Sequence, residues 1–276
     1  GMEETLWIVG GDERSFWAAQ HLRNQRFTVL TQGVPKLSDT PLPSAFSMLI
    51  LPFPSFRGAL VRGVSAVPVE ELLCRANGHT RVFGGQFGIW REAFESRGAR
   101  VTDLYDTEPL TTANAVPTAE GALAIAMERS PITLHNASCL VIGYGRIGKL
   151  LARRLQALGA SVTVAARKSA DRALAEACGM QSEETGNYLH GLGQYDFVFN
   201  TVPAATLNEA QLRRLPPECM LLELASPPYG IDAEACKRLG LFYVLASGLP
   251  GQYAPKTAGA LYAQSILDLL DREETP

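Results

Sequence analysis

The chain has 276 residues, 46% of them hydrophobic and 19% charged, which suffices for two domains with buried cores and excludes the composition of a disordered chain. Its net charge of −3 excludes the strong positive field that draws a protein to nucleic acid or to an anionic membrane. Five scattered cysteines without a Cys-x-x-Cys pair are typical of reduced thiols in the cytoplasm, and no stretch reaches the roughly 18 apolar residues of a membrane span.

Apolar runs of strand length alternate with helix-period segments along the first half of the chain. This alternation is typical of parallel strands joined by crossover helices. The expected strands are 6–9, 27–30, 47–51, 81–83 and 99–101. One helix is expected to end near Asn24, and another to follow Gly84-Gly85 and end near Arg97. This half therefore resembles an open sheet of flavodoxin type.

A second α/β series follows, and a linking helix is predicted to open it. Pro117 and Glu120 suit the first turn of a helix, because proline lacks an N–H that would be unpaired there and an acid faces the positive end of the helix dipole. The expected strands are 138–142, 161–165, 196–200, 220–224 and 241–245, with a helix at 144–158. A last helix is expected from Lys256 to about Leu270, where it can pack back onto the first domain.

These elements predict an α/β fold of two doubly wound domains, one flavodoxin-like and one Rossmann-like, with a cleft between them. We place an N-terminal substrate or assembly domain at residues 2–115 plus 257–276, and a nucleotide-binding domain at residues 116–256.

A glycine-rich segment lies between the strand 138–142 and the helix that follows it. It reads Gly143-Tyr144-Gly145-Arg146-Ile147-Gly148, and all six residues are candidates for cofactor binding. In this pattern the first glycine allows a tight turn, the second lets the backbone approach a pyrophosphate, and the third lets helix and strand pack closely. The flanking strand and helix make dinucleotide binding the favoured interpretation. The alternative is a glycine turn with a structural role only.

The end of the next strand indicates which dinucleotide is bound. An NAD site carries an acid about 20 residues after the glycines, for the ribose hydroxyl. Here the strand ends in two alanines followed by Arg167-Lys168-Ser169, which offer two cations and a hydroxyl to a 2′-phosphate. We therefore predict NADP in preference to NAD. The alternative for Arg167 and Lys168 is a solvated basic loop.

Two later strand ends are expected to flank the nicotinamide, since ligands of open α/β sheets lie beyond the carboxyl ends of the strands. Thr201-Val202-Pro203 follow one of these strands, and Glu223-Leu224-Ala225-Ser226 end the other. Asn200, directly before Thr201, is expected to flank the nicotinamide as well, and the alternative for it is a turn-forming cap.

Several segments resemble known families. The domain order and the linking helix are similar in outline to those of the D-2-hydroxyacid dehydrogenases. The strand end 225–230, however, has no arginine, and no histidine follows His190. The usual acid/base set of that family is therefore absent. A closer resemblance, carried by segments 114–122, 143–148, 223–227 and 248–259, is to the A-subunit family of dipicolinate synthase. It spans nearly the whole chain.

This resemblance implies NADP-dependent dehydrogenation of dihydrodipicolinate to dipicolinate (pyridine-2,6-dicarboxylate) in spore formation. It also implies a flavoprotein-like partner, the B subunit of dipicolinate synthase. Dehydrogenases of this shape commonly pair, so a homo-oligomer is expected.

A dicarboxylate substrate needs cations and hydroxyls to hold it, and a proton acceptor. Lys256 is the candidate carboxylate clamp, with a solvated lysine at a helix start as the alternative. Glu120 is the candidate proton acceptor. The alternative is that this acid only interacts with the positive end of the helix dipole in the first turn of the predicted helix. The candidate substrate-binding residues are Asn114, Thr118, Thr257 and Ser226. The four histidines show no metal-binding spacing, so no metal is expected.

Two other functions stay open at this point. The missing acid/base set is compatible with a noncatalytic NADP-binding protein that scaffolds or regulates the flavoprotein partner. The cofactor signals are equally compatible with an NADP-dependent reductase of another small acid.

Overall fold

Alternating strands and helices build two separate parallel sheets. The structure, a computed structural model, describes residues 4–275. These residues divide into two units: the first runs to Asn114 and resumes at Ala254, and the second comprises Ala115–Tyr253.

The helices and strands are numbered in chain order. Up to the second unit they are β1 (Glu4–Val9), α1 (Glu13–Arg23), β2 (Phe27–Gln32), β3 (Met48–Ile50), β4 (Phe56–Arg57), β5 (Leu60–Val61), β6 (Val67–Pro68), α2 (Val69–Leu73), β7 (Arg81–Gly84), α3 (Trp90–Ser96), β8 (Arg100–Asp103) and α4 (Glu108–Arg129). They continue with β9 (Ser138–Ile142), α5 (Arg146–Ala157), β10 (Ser161–Ala165), α6 (Ser169–Ala177), β11 (Gln181–Glu183), β12 (Phe197–Asn200), α7 (Glu209–Leu212), β13 (Met220–Glu223), α8 (Ala233–Leu239), β14 (Phe242–Leu245), α9 (Leu249–Tyr253) and α10 (Pro255–Glu274).

The sheet of the first unit has the strand order β2-β1-β3-β7-β8, and every pair in it is parallel. This is the flavodoxin order, with crossovers to both sides of β1. A small antiparallel sheet, β4-β5-β6, is inserted between β3 and β7. The sequence did not reveal it, because strands of two residues are too short to show an alternating pattern.

The last helix packs onto the first helix of the same unit, as predicted. A Cβ added to Gly259 on α10 would overlap the carbonyl oxygen of Arg14 and lie 2.9 Å from the Cβ of Trp17. Glycine therefore lets α1 and α10 approach closely. Further along α10, Tyr262 is buried, and its hydroxyl donates a 3.0 Å hydrogen bond to the carbonyl oxygen of Leu51.

The sheet of the second unit has the order β11-β10-β9-β12-β13-β14, again all parallel. This is the Rossmann order, in which β9 is the first strand of the nucleotide-binding half. The predicted α/β class, with two doubly wound sheets and a C-terminal helix on the first unit, is confirmed. None of the described helices is long and apolar enough to cross a bilayer.

The predicted start of the linking helix is wrong. Helix α4 begins at Glu108, and Pro117 lies inside it. Pro109 occupies the first turn instead, where a missing N–H costs nothing. Although Pro117 removes one internal hydrogen bond, buried Ala115 and Ala119 on either side anchor the helix to the protein. Glu120 is therefore more than two turns from the helix start, and the dipole does not explain it.

Candidate functional site

The glycine loop joins β9 to α5 at the carboxyl edge of the second sheet. Gly143 has a φ of 99°, a conformation that favours glycine, and a Cβ there would overlap the hydroxyl of Thr201. A Cβ on Gly148 would overlap the carbonyl oxygen of Gly143. The fold itself therefore requires the first and third glycines, for a tight turn and for close packing.

Gly145 differs from its two neighbours. Its φ of −85° suits any residue, and a Cβ there would meet no protein atom within 4 Å. It caps α5 without a side-chain hydrogen bond, and the first N–H groups of a helix have no partner within the helix itself. The fold gives no reason for glycine at this position, whereas a pyrophosphate close to the backbone does. The loop thus fits a dinucleotide.

The three non-glycine residues of the loop have different surroundings. Tyr144 is buried in the core of the second unit, where burial raises its pKa. Its side chain is thus a core residue, and only its backbone belongs to the loop. Ile147 packs partly against the same core, and Arg146 is exposed at the start of α5.

The loop between β10 and α6 is basic and open to solvent. Arg167, Lys168 and Ser169 are all exposed. Arg172, a residue that the sequence analysis missed, donates hydrogen bonds of 2.8 and 2.7 Å to the carbonyl oxygens of Ala166 and Arg167. Arg172 thereby fixes the backbone of this loop. A basic residue in the first turn of the helix after this loop was the available signal.

A buried polar network ties together the ends of β12 and β13. Glu223, fully buried, accepts hydrogen bonds from the backbone N–H groups of Gly230 (2.6 Å) and Ile231 (2.9 Å) and from the side-chain amide of Asn200 (2.6 Å). Asn200 also bonds both backbone groups of Val202, as the turn-forming interpretation expects. The network holds the segment 226–231 against the strand ends.

The remaining residues of these two loops lie at the sheet edge. The Thr201 hydroxyl donates a 2.7 Å hydrogen bond to the carbonyl oxygen of Ile142, so it braces the glycine loop. Val202 is half-buried, Pro203 is exposed, and Ser226 is exposed in the turn that the network supports. These positions form the edge where a ligand of an open sheet is expected.

Comparisons with known proteins agree with this geometry. Residues 112–226 match the family model described as D-isomer specific 2-hydroxyacid dehydrogenase, NAD binding domain. The A subunit of dipicolinate synthase from Bacillus subtilis (strain 168) is 29% identical over 281 residues, which cover 95% of this chain and 94% of the relative.

Two solved structures extend this similarity to three dimensions. The dipicolinate synthase A subunit from Bacillus halodurans superposes with a TM-score of 0.89 at 26% identity, over 98% of this chain and 99% of that chain. The corresponding polypeptide of dipicolinate synthase from Bacillus subtilis gives 0.84 at 27% identity, over 99% and 98%. The chain resembles the dipicolinate synthase A subunit over nearly its whole length. The family resemblance inferred from the sequence is confirmed.

The resemblance to dipicolinate synthase and the NAD-binding domain together support an oxidoreductase that uses a nicotinamide cofactor. The domain match includes the glycine loop, the basic loop after β10 and the end of β13. The match to the NAD binding domain thus lies almost entirely in the second unit.

The candidate substrate residues of this dipicolinate synthase-like chain are distributed over both units. Asn114 and Thr118 lie one turn apart on α4, both half-buried and both engaged in interactions. Glu120, on the same helix, is exposed. Lys256 and Thr257 start α10 as predicted and are exposed, and the Lys256 ammonium lies 5.0 Å from the ring centre of Trp17.

The histidines lie outside the glycine loop and the loops that follow β12 and β13. His21 hydrogen-bonds Gln264 at 2.9 Å, and His190 is exposed with Nε2 3.7 Å from a Glu183 carboxylate oxygen. Within residues 4–275, no group of three or more His, Cys, Asp or Glu side chains is arranged to hold a metal ion.

Proposed function

We propose that the chain is an NADP-dependent dehydrogenase that oxidises dihydrodipicolinate to dipicolinate in spore formation, with the flavoprotein-like B subunit of dipicolinate synthase as its partner. The observation that carries the proposal is the open Gly145 loop beside a basic strand end, in a chain similar to the dipicolinate synthase A subunit over 95% of its length. A homodimer in the cytoplasm completes the proposal.

The preference for NADP rests on the β10–α6 loop. Arg167 and Lys168 are exposed, and the loop backbone is held by Arg172. The nearest acid on the neighbouring strand end, Glu183, is buried and accepts a hydrogen bond from the backbone N–H of His190. A ribose 2′-phosphate would therefore meet two cations here, whereas Glu183 is not available to a 2′-hydroxyl.

The proposed reaction sets three tasks for the protein. Dihydrodipicolinate has two hydrogens more than dipicolinate, which leave as one hydride and one proton. A bound nicotinamide accepts the hydride. The chain must hold two carboxylates and accept the proton, and we assign Lys256 to one carboxylate and exposed Glu120 to the proton. The hydrogen-bonding residues proposed for the substrate are Asn114, Thr118, Thr257 and Ser226.

An assay of dipicolinate formation tests this function. The purified chain is supplied with dihydrodipicolinate and either NADP or NAD, with and without the flavoprotein-like partner, and the ultraviolet absorbance of dipicolinate is followed. We expect product with NADP, and more of it when the partner is present. Absence of product under all four conditions would refute the proposed reaction.

Replacing Arg167 by alanine is expected to weaken NADPH binding about tenfold or more and to leave NADH binding unchanged, because the arginine meets the 2′-phosphate only. Isothermal titration with each nucleotide measures both affinities. Arg153→Ala is the matched control, since Arg153 is exposed on α5, away from the basic loop. Equal affinities of Arg167→Ala and the unmodified protein for NADPH would contradict the assignment.

The noncatalytic scaffold is a second candidate, and the positions of the histidines favour it. No histidine occurs in the glycine loop or in segments 201–208 and 224–232, where a proton carrier beside the nicotinamide would be expected. This candidate predicts NADPH binding and complex formation with the flavoprotein-like partner, while Lys256→Ala and Glu120→Ala keep full activity in the assay of the complex. Loss of activity in either variant would favour the catalytic role. Product from a different small acid would instead identify a reductase of that acid.

A further inference from the structure

A second concave site lies wholly within the first unit. It is a cavity of about 250 Å³ at the carboxyl ends of β1 and β3, lined among others by Asp12, Arg14, Phe53 and Arg62. In the order β2-β1-β3-β7-β8, the chain turns to opposite sides after these two strands. Ligands of open α/β sheets bind at such a switch point.

Arg14 is held rigidly at this cavity. Its Nε donates to both carboxylate oxygens of Asp12 at 3.0 and 3.1 Å, and one Nη donates to Asp12 at 2.9 Å and to the carbonyl oxygen of Phe53 at 2.9 Å. Among the residues that the structure describes, the other Nη has no hydrogen-bond acceptor. Burial alone would lower the pKa of Arg14, but the contacts with Asp12 outweigh it and raise the pKa. Arg14 therefore offers a fixed cation with a spare donor.

Arg62 is placed at the cavity by backbone contacts. The N–H of Gly11 donates a 2.6 Å hydrogen bond to the carbonyl oxygen of Arg62. A Cβ on Gly63 would lie 2.7 Å from the nitrogen of Gly11, and one on Gly10 would lie 2.6 Å from the Arg62 oxygen. Gly10 and Gly63 thus let the β5–β6 turn lie directly on the loop after β1. Arg62 lines the cavity, and the residue is exposed.

Phe53 supplies a flat apolar surface. Its ring stacks on Tyr105, with ring centres 4.2 Å apart and an angle of 20° between the planes. A Cβ on Gly85 would lie 2.5 Å from the nearest atom of this ring, so a glycine there leaves room for it. The ring of Phe53, a residue that lines the cavity, is therefore fixed by two contacts.

We propose that this cavity binds a planar ring acid through one carboxylate. Two guanidinium groups and the one carboxylate of Asp12 leave a net charge of +1 at the cavity, which matches a single carboxylate of the ligand. Arg14 positions that carboxylate, Arg62 adds a second cation at the edge, and Phe53 contacts the ring face. The identification of the ligand as a pyridine carboxylate rests on the proposed function. Lys256 and Thr257 do not line this cavity.

A calorimetric titration of the full chain with pyridine-2,6-dicarboxylate, which measures its affinity, tests the inference. We expect Arg62→Ala to weaken binding about tenfold and Arg14→Gln about 10- to 100-fold, since each removes a charge-assisted hydrogen bond. Arg57→Ala is the matched control, because Arg57 is exposed on β4 of the same small sheet and does not line the cavity. NADPH affinity should be unchanged in all three variants. Arg62→Ala removes only an exposed side chain, so the test does not depend on the folding of Arg14→Gln.

The outcomes separate this inference from the proposed function. Unchanged affinity of Arg62→Ala and folded Arg14→Gln for the diacid would overturn the inference and leave the proposed reaction intact. Inorganic phosphate and benzoate serve as comparison ligands. Phosphate binding as tight as that of the diacid would overturn the ring-acid assignment, whereas tighter benzoate binding would retain the site and contradict dipicolinate as its occupant.

Discussion

Replacing Gly145 by alanine is expected to weaken NADPH binding at least about 100-fold while changing the free energy of unfolding by less than about 1 kcal/mol. The added methyl group meets no protein atom within 4 Å and a backbone φ of −85° accepts alanine, so the fold tolerates it. In the proposed dinucleotide complex, the same methyl group would lie between the loop backbone and the pyrophosphate. Calorimetric titration and urea unfolding measure the two quantities.

Gly148→Ala is the matched comparison, with the same methyl group placed three residues later. It would overlap the carbonyl oxygen of Gly143, so we expect a loss of about 1 to 3 kcal/mol in the free energy of unfolding. The two glycines thus separate a ligand requirement from a packing requirement. Normal NADPH affinity in a folded Gly145→Ala protein would show that the loop is a structural turn.

Replacing Glu223 by alanine is expected to lower the free energy of unfolding by about 3 kcal/mol or more, because it leaves three buried N–H donors without an acceptor. These donors are the side-chain amide of Asn200 and the backbone of Gly230 and Ile231. Glu223→Gln should cost less, since one carbonyl oxygen remains to accept. Urea unfolding measures both variants.

The control for this prediction is Glu209→Gln, on α7 of the same unit. Glu209 is 39% exposed and pairs with Arg213 at 3.4 Å, a surface contact of small energetic weight. A Glu223→Ala protein as stable as Glu209→Gln would show that water satisfies the donors and that the network does not hold the segment 226–231.

Local sequence determined the second unit most fully. The strand 138–142, the glycines and the helix after them are neighbours in the chain, and Gly148 packs on the backbone of Gly143 within the same loop, although Gly143 itself makes room for the distant Thr201. The boundaries of the strands 138–142, 161–165 and 196–200 were predicted to within one residue, because buried parallel strands are short continuous apolar runs. Likewise, the sequence alone predicted the basic loop after β10, because arginine and lysine stand there in place of the acid of an NAD site.

Tertiary structure decided what depends on distant contacts. Pro117 signals a helix start locally, but packing of the alanines around it keeps α4 continuous. Tyr144 lies within the glycine-rich motif of the sequence, but the tertiary structure buries its side chain in the core of the second unit. Arg14 and Arg62 are 48 positions apart in the numbering, and the contacts of Gly10 and Gly11 with Arg62 and Gly63 bring their backbones to one cavity. A sequence pattern records neighbours along the chain, whereas that cavity is made by strand order and by glycine contacts between loops.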